Sequence, residues 1–397
     1  MRYPYYNPNL NLTLAIKAIF VSKKKARESI VTYFKKITNK EYVLITNSCR
    51  TALYLAYNSI KDTGEVITSP LTCKVAIDPI IESGNKPVFT DVNIGDLNIK
   101  VEDIEQLITK HTIAIQAIHL GGVSCDMSKI NAIARTNKLL VIEDCAQSMG
   151  AKYEGKFSGS FGDISCFTLS KNAFGIGGGI LATNSEQIFR KALALNEKFS
   201  KVSAKLTNFR FIRNIFETYR KNIFGQLAIK LLLLIKGKYI SYQSVRGQLC
   251  RISSLQLKVI ALQLLRINAL HDKRKNIGAT YYHFLKNNGI LFNSNYDEQT
   301  CSFTKFFIYN PGVNTKEALR KLSKIGIEAM HMEHKKGSPY QKRIVTNKNV
   351  INGLNNYSKI HDSVISIPIN EDYNQKEIDY ILNVLYNFIN EKQKDMV

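Results

Sequence analysis

The stretch LLVIEDCAQSMGAKYEGKFSGSFGDISCFTLSKNAFGIGGGILATN, Leu139–Asn184, decides the fold of this 397-residue chain. Its opening run, Leu139–Ile142, is apolar and reads as a strand that ends in two acids, Glu143 and Asp144. Lys171 follows Asp144 by 27 residues, between Ser170 and Asn172, and Gly175 and Gly177–Gly179 come directly after it. An acid at a strand end and a lysine ahead of a glycine-rich turn suit Schiff-base chemistry. The lysine serves as covalent anchor, and the acid keeps a pyridinium nitrogen protonated so that the ring accepts electrons. Taken alone, the pair also fits a loop-capping carboxylate and a surface lysine.

Upstream, EYVLIT (Glu41–Thr46) reads as a strand that turns at Asn47-Ser48-Cys49 into a helix start, TALYLAY. GEVITSP, KPVFTDV and HTIAIQAIHL repeat the theme, with helical segments between them. Such alternation predicts an α/β fold with a largely parallel, doubly wound sheet, whose ligands gather at the carboxyl ends of the strands. Asn196–Ile240 breaks the rhythm with ten Lys/Arg against Glu197 and Glu217, interleaved with Phe, Ile and Leu. RISSLQLKVIALQLLRINALHDKRKNIGATYYHFL then has the period of one or two long helices, and the rest reads as a smaller α+β unit. The expected division is a large domain over 1–250, carrying the insert 196–240, and a long helix with a smaller domain over 251–397.

Lys and Arg number 55 against 32 Asp and Glu, a net charge of +23, yet charged residues are only 22% of the chain and hydrophobic ones 45%. That balance excludes a disordered polyelectrolyte and leaves nucleic acid, an acidic membrane surface or a phosphorylated ligand as partners for the excess. No nucleic-acid-binding motif is present, so nucleic acid is not expected. The seven cysteines form no CxxC pair, and His331 and His334 have no carboxylate–cysteine cluster beside them. No metal is expected, those two histidines read as surface or substrate-entrance groups, and the compartment reads as reducing and cytoplasmic. The longest apolar run, Ile223–Ile235, is interrupted by Gln226 and Lys230 and is too short to span a bilayer. The insert is expected either to be a helical hairpin or to make peripheral contact with an anionic membrane surface or a lipid-linked glycan.

The Leu139–Asn184 block resembles the DegT-type sugar-nucleotide aminotransferases, whose pattern is approximately VIEDAAQAHGA…G…GD..CFSF…KN…G.GG. The likeness continues in ITNSCRTALYLAY, PVFTDVN, HLGGVSCDM, RISSLQLKVIALQ and VISIPI. It implies the type I fold of pyridoxal-phosphate-dependent transferases: a mostly parallel seven-stranded sheet with a smaller C-terminal α+β domain. It implies that Lys171 carries pyridoxal 5'-phosphate and then moves the substrate proton. Asp144 would pair with the pyridinium nitrogen, and Gln147 would lie against the ring. The phosphate is expected at the turn of Cys49, Arg50 and Thr51, with the backbone donors of Arg50 and Thr51 and the hydroxyl of Thr168 (the family serine aligns with Cys166). Substrate contacts are expected from His119, with packing as the alternative, and from Arg251 and Asn172.

Two departures stand out. Cys73 or Lys74 occupies the place of the aromatic residue that stacks on the ring. In Gly247-Gln248-Leu249-Cys250-Arg251, Leu249 replaces the family's asparagine. The implied activity is amino transfer from glutamate or glutamine to a nucleotide-linked keto-sugar, for surface polysaccharide, lipopolysaccharide or related amino-sugar biosynthesis, by a homodimer. The rival reading is a non-catalytic binding or regulatory protein of the same fold.

Overall fold

The structure, a computed structural model, describes residues 2–394 apart from 6, 61, 172–175, 203, 237–248, 290–295, 310–314, 332–353 and 362. The strand-like runs become β1 (Tyr42–Thr46), β2 (Glu65–Thr68), β3 (Lys86–Phe89), β4 (Thr112–Ile118) and β5 (Leu140–Asp144). A small hairpin, β6 (Lys152–Tyr153) and β7 (Lys156–Phe157), precedes β8 (Ile164–Thr168) and β9 (Gly179–Thr183). All but the hairpin join in one seven-stranded sheet, ordered β1-β9-β8-β5-β4-β2-β3. The run from β8 to β3 is parallel, whereas β9 is antiparallel to both β8 and β1. The connection 169–178 is too short for a crossover helix, so β9 must return beside β8 in the opposite sense. Lys171 lies on that connection and is thereby set at the carboxyl edge of the sheet.

Helices cover both faces, which is why the strands are apolar almost throughout. They are α1 (Leu12–Phe20), α2 (Lys23–Thr38), α3 (Cys49–Ser59), α4 (Lys74–Glu82), α5 (Met127–Thr136) and α6 (Glu186–Glu197). The insert supplies α7 (Ala204–Thr218) and α8 (Ile223–Lys236), followed by α9 (Ser254–Leu264) and α10 (Ile267–Asn287). The period of two divides the sheet cleanly. Val43, Ile45, Ile180 and Ala182 pack with α1, α2 and α9, while Leu44 and Leu181 pack with α3 and α6 on the other side. Helix α9 is buried on nearly every side and opens with a capping box, Ser253 and Gln256.

The insert folds as a helical hairpin. Its turn closes because Gly225 lies against the Tyr219 carbonyl, where an added Cβ would come within 2.2 Å of the oxygen. Phe211 and Ile215 pack on the core beneath α1 and α2. Ion pairs from Arg220 to Glu328 (2.5 Å) and from Lys221 to Glu377 (2.7 Å) tie the hairpin to the C-terminal unit.

That unit contains an antiparallel sheet of β10 (Phe306–Tyr309), β11 (Met330–His331) and β12 (Val364–Ile367), ordered β10-β12-β11. It also holds α11 (Thr315–Lys324), α12 (Asn355–Ile360) and α13 (Gln375–Lys394). Helix α10 serves both units: Leu270 belongs to the first core, and Ile277, Tyr281 and Leu285 to the second. The chain's start crosses over as well, since Tyr3 pairs with Ile327 and sits in the second core. A cleft between the sheet's carboxyl edge and this unit is the result.

Candidate active site

Glu143 and Asp144 are neighbours on β5, so their side chains point to opposite faces of the sheet. Glu143 is fully buried and gathers the N–H groups of Gly159 (2.7 Å), Phe161 (2.9 Å) and Gly162 (2.6 Å) and the Nε2 of His119 (3.1 Å). Burial pushes its carboxyl up, but the His119 contact and the backbone donors outweigh this and hold it below the usual carboxylate range. Asp144 faces the other way, onto a cavity of about 710 Å³. Burial raises its pKa, against the Ala146 N–H (3.0 Å) and the charge of Lys171. A buried carboxylate raised in this way gains from a cationic partner.

The far end of the cavity is the N-terminus of α3. Ser48 caps this helix through Thr51 N (3.1 Å), and Gly179 packs edge-on against the Ser48–Cys49 peptide. A Cβ on Gly179 would meet the Ser48 carbonyl carbon at 2.3 Å. Ser48, Cys49 and Arg50 line the cavity. Thr51 does not serve as expected, because its N–H and hydroxyl are both spent on the Ser48 hydroxyl and its side chain is buried behind the turn. Thr168 ends β8 at the cavity, with its hydroxyl 2.8 Å from that of Ser170, whereas Cys166 is sealed in the core. A helix N-terminus with converging hydroxyls and an arginine is an anion site.

Gln147 and Lys171 line this cavity and also a second one of about 950 Å³ that opens toward the C-terminal unit. The Gln147 carbonyl accepts from the Gly121 N–H at 3.1 Å. Cys73 lines both cavities, while Lys74 turns outward toward Asp78 (3.7 Å). Of the two candidates for the ring-stacking place, the geometry therefore sets the thiol at the cleft.

The second cavity brings in residues the motifs did not indicate: Tyr5, Asn7, Arg274, Lys305, Phe307 and Glu371. Arg274 and Glu371 form a buried ion pair. Burial, together with the positive charge of Lys171, pulls the Lys305 amine down to about 8. In the sequence Lys305 is one basic residue among 55, and no local pattern distinguishes it.

Other expected residues lie elsewhere. His119 is fully buried: its Nδ1 accepts from Cys125 N (3.0 Å) and its Nε2 meets Glu143, so it positions β4 against β5 and has no free atom for a substrate. Arg251 pairs through its backbone with Ser200 and Val202 and lines neither cavity. Asn172, Gln248 and His334 lie outside the described residues, and His331 is half-buried on β11. His119, Glu143 and Cys145 approach one another within 4.8 Å. The nitrogens and carboxylate oxygens of that cluster are already occupied by the bonds above, which leaves no open ligand set.

Residues 11–386 match the DegT/DnrJ/EryC1/StrS aminotransferase family. The chain belongs to this family. The match takes in α1 and α2, which the quoted motifs did not reach. Among relatives, GDP-perosamine synthase of Escherichia coli O157:H7 is 34% identical over 211 residues, 49% of this chain and 56% of that protein. The dTDP-3-amino-3,6-dideoxy-alpha-D-galactopyranose transaminase of Aneurinibacillus thermoaerophilus is 26% identical over 82% of this chain and 78% of its own length. The spore coat polysaccharide biosynthesis protein SpsC of Bacillus subtilis is 34% identical over 47% of this chain and 49% of its own. The chain thus spans about half the length of the E. coli and B. subtilis relatives. Among solved structures, PseC of Helicobacter pylori, an aminotransferase involved in the biosynthesis of pseudoaminic acid, superposes with a TM-score of 0.76. It is 19% identical, covering 98% of this chain and 100% of that one. The fold is accordingly the type I fold expected from the motifs.

Proposed function

We propose that this DegT-family chain is a pyridoxal-phosphate-dependent aminotransferase that passes an amino group from glutamate or glutamine to a nucleotide-linked keto-sugar. The observation that carries the reading is one cavity in which Lys171 and Asp144 face the same space, with the α3 N-terminus at its far end. The residues fit the cofactor. Asp144 is a buried acid whose ionised form gains from a pyridinium, and Ser48, Arg50, Thr168 and Ser170 converge where a phosphate dianion is best stabilised.

When bound, pyridoxal phosphate supplies an electron sink for negative charge developing at the carbon that carries the amine. Asp144 would hold a proton on the ring nitrogen, and Gln147, whose carbonyl accepts from the Gly121 N–H, would line the same space. Lys171 Nζ would anchor the cofactor and could move a proton at the reacting carbon. In the outer cavity Lys305 offers positive charge, which suits first the donor carboxylate and then the diphosphate of a sugar nucleotide. The Arg274–Glu371 pair holds the C-terminal unit against this space and is a wall of the pocket.

The test is twofold. Purified protein with pyridoxal phosphate should show a visible absorbance band that glutamate bleaches and that Lys171→Ala abolishes. A panel of nucleotide-linked keto-sugars should then yield a glutamate-dependent amino sugar. No band with cofactor in excess would overturn the reading and leave a non-catalytic binding or regulatory protein. Basic insert and substrate chemistry are separate questions, since the insert's hairpin lines neither cavity.

A further inference from the structure

Helix α1 is apolar on both sides. Leu14, Ala15 and Ala18 face the core, and Leu12, Ile16, Ile19 and Phe20 form the opposite stripe, with Phe20 81% exposed. A helix apolar all round normally has both faces covered. Helix α8 repeats the pattern: Ile229 is buried, while Ile223, Phe224, Leu227 and Leu231 are exposed, Phe224 also at 81%. The two stripes begin side by side, because Leu10 N bonds Thr218 Oγ1 (2.9 Å) and Leu12 N bonds Tyr219 Oη (3.4 Å), just ahead of Ile223. Apolar side chains exposed in this number on two neighbouring helices mark an interaction site.

The charges around it choose the occupant. Exposed Lys17 lies on α1, exposed Lys23, Lys24 and Lys25 open α2 just after the extended link Val21-Ser22, and Lys230 lies on α8. The nearest acid of the hairpin, Glu217, is taken up by Arg213 and Arg220. A second copy seated on this face would bring a like set of cations to it. An anionic lipid surface meets both the apolar side chains and the charge. Among the described residues no helix is long and apolar enough to cross a membrane, so the contact is peripheral.

We propose that the α1 and α8 stripes, with Lys23–Lys25, form a docking surface for an anionic membrane. The assay is flotation of the full chain with vesicles of phosphatidylglycerol and phosphatidylcholine in equal parts, and with phosphatidylcholine alone. The protein should float with the anionic vesicles at low salt and be released by high salt. Replacing Lys23, Lys24 and Lys25 by Gln should weaken partitioning about fivefold for each charge removed. Phe20→Ser with Phe224→Ser should weaken it on the order of tenfold for each ring. Both variants change exposed side chains and should keep the wild-type melting temperature. Three results overturn the proposal: wild type that stays unbound, variants that partition like wild type, or a lipid-free wild-type oligomer that Phe20→Ser/Phe224→Ser converts to a smaller species. The last would assign the face to a second copy. None of these readouts depends on amino transfer.

Discussion

Replacing Gly179 by alanine tests whether the anion end of the cavity is built as described. Gly179 opens β9, opposite Thr46 on one side and Thr168 on the other. A methyl group there would stand 2.3 Å from the Ser48 carbonyl carbon and 2.5 Å from Cys49 N. Ordinary carbon contacts need about 3.5 Å, so α3 and β9 must separate by roughly 1 Å. Neither neighbour yields easily, because both are backbone, held by the Ser48 cap and by ladder bonds on each side of β9. Overpacking of this kind costs about 1–3 kcal/mol of stability. The larger effect falls on function, since a shift of about 1 Å between the α3 N-terminus and the Thr168 edge is enough to lower turnover on the order of 100-fold. Urea denaturation reads the first quantity, and titration with pyridoxal phosphate followed by single-turnover amination reads the second. Unchanged cofactor affinity in a fully folded Gly179→Ala protein would refute the placement of the phosphate at this turn.

Further outcomes follow from three groups whose environments are unusual. Lys305 titrates near 8, so KM for an anionic substrate should rise as the pH passes upward through about 8, and Lys305→Met should abolish that inflection while raising KM at lower pH. Stability should also increase between about pH 8 and the ordinary lysine value of 10.5, where the unfolded chain holds the proton that the folded one has lost. Glu143→Gln sets an amide N–H₂ against backbone donors and should cost about 3 kcal/mol in urea denaturation. Because the folded Glu143 pKa is depressed, its contribution is complete above the unfolded value of 4.5 and disappears as the pH falls through the lower folded value. The acid-denaturation curve of Glu143→Gln should therefore be flatter there. Burial, with the charges of Arg274 and Lys275, depresses His271 from 6.5 to about 3, so the folded protein resists its protonation. Between those values stability should fall on acidification by up to about 1.4 kcal/mol per pH unit, and His271→Gln should remove that slope. An unchanged slope would place the acid sensitivity elsewhere.

The α/β architecture was legible because its signals are local. Apolar runs of strand length, the turn at Ser48 and the glycines after Lys171 each lie within a short window, and each leads to the element expected. Asp144 and Lys171 were legible for the same reason: strand ends and short connections place residues at one edge of a sheet, and that edge is where β5 and β8 deliver them. The sequence leaves His119 open between substrate contact and packing and offers the Thr51 N–H as a free donor, because hydrogen-bond partners are not visible in a local pattern: the His119 nitrogens belong to the Glu143 network and the Thr51 N–H to the Ser48 cap.

By itself the sequence determined the order of strands and helices, the basic and apolar insert, and the acid–lysine pair. Only the tertiary structure decided that Cys73 and not Lys74 meets the cleft, and that the α1 and α8 stripes start side by side. It also decided that Lys305 and Arg274 close the cleft opposite Lys171. These meetings join segments far apart in the chain, and α10, passing between two cores, is what brings Arg274 to the cleft. No local pattern encodes which of many exposed lysines or apolar residues long-range packing will bring together.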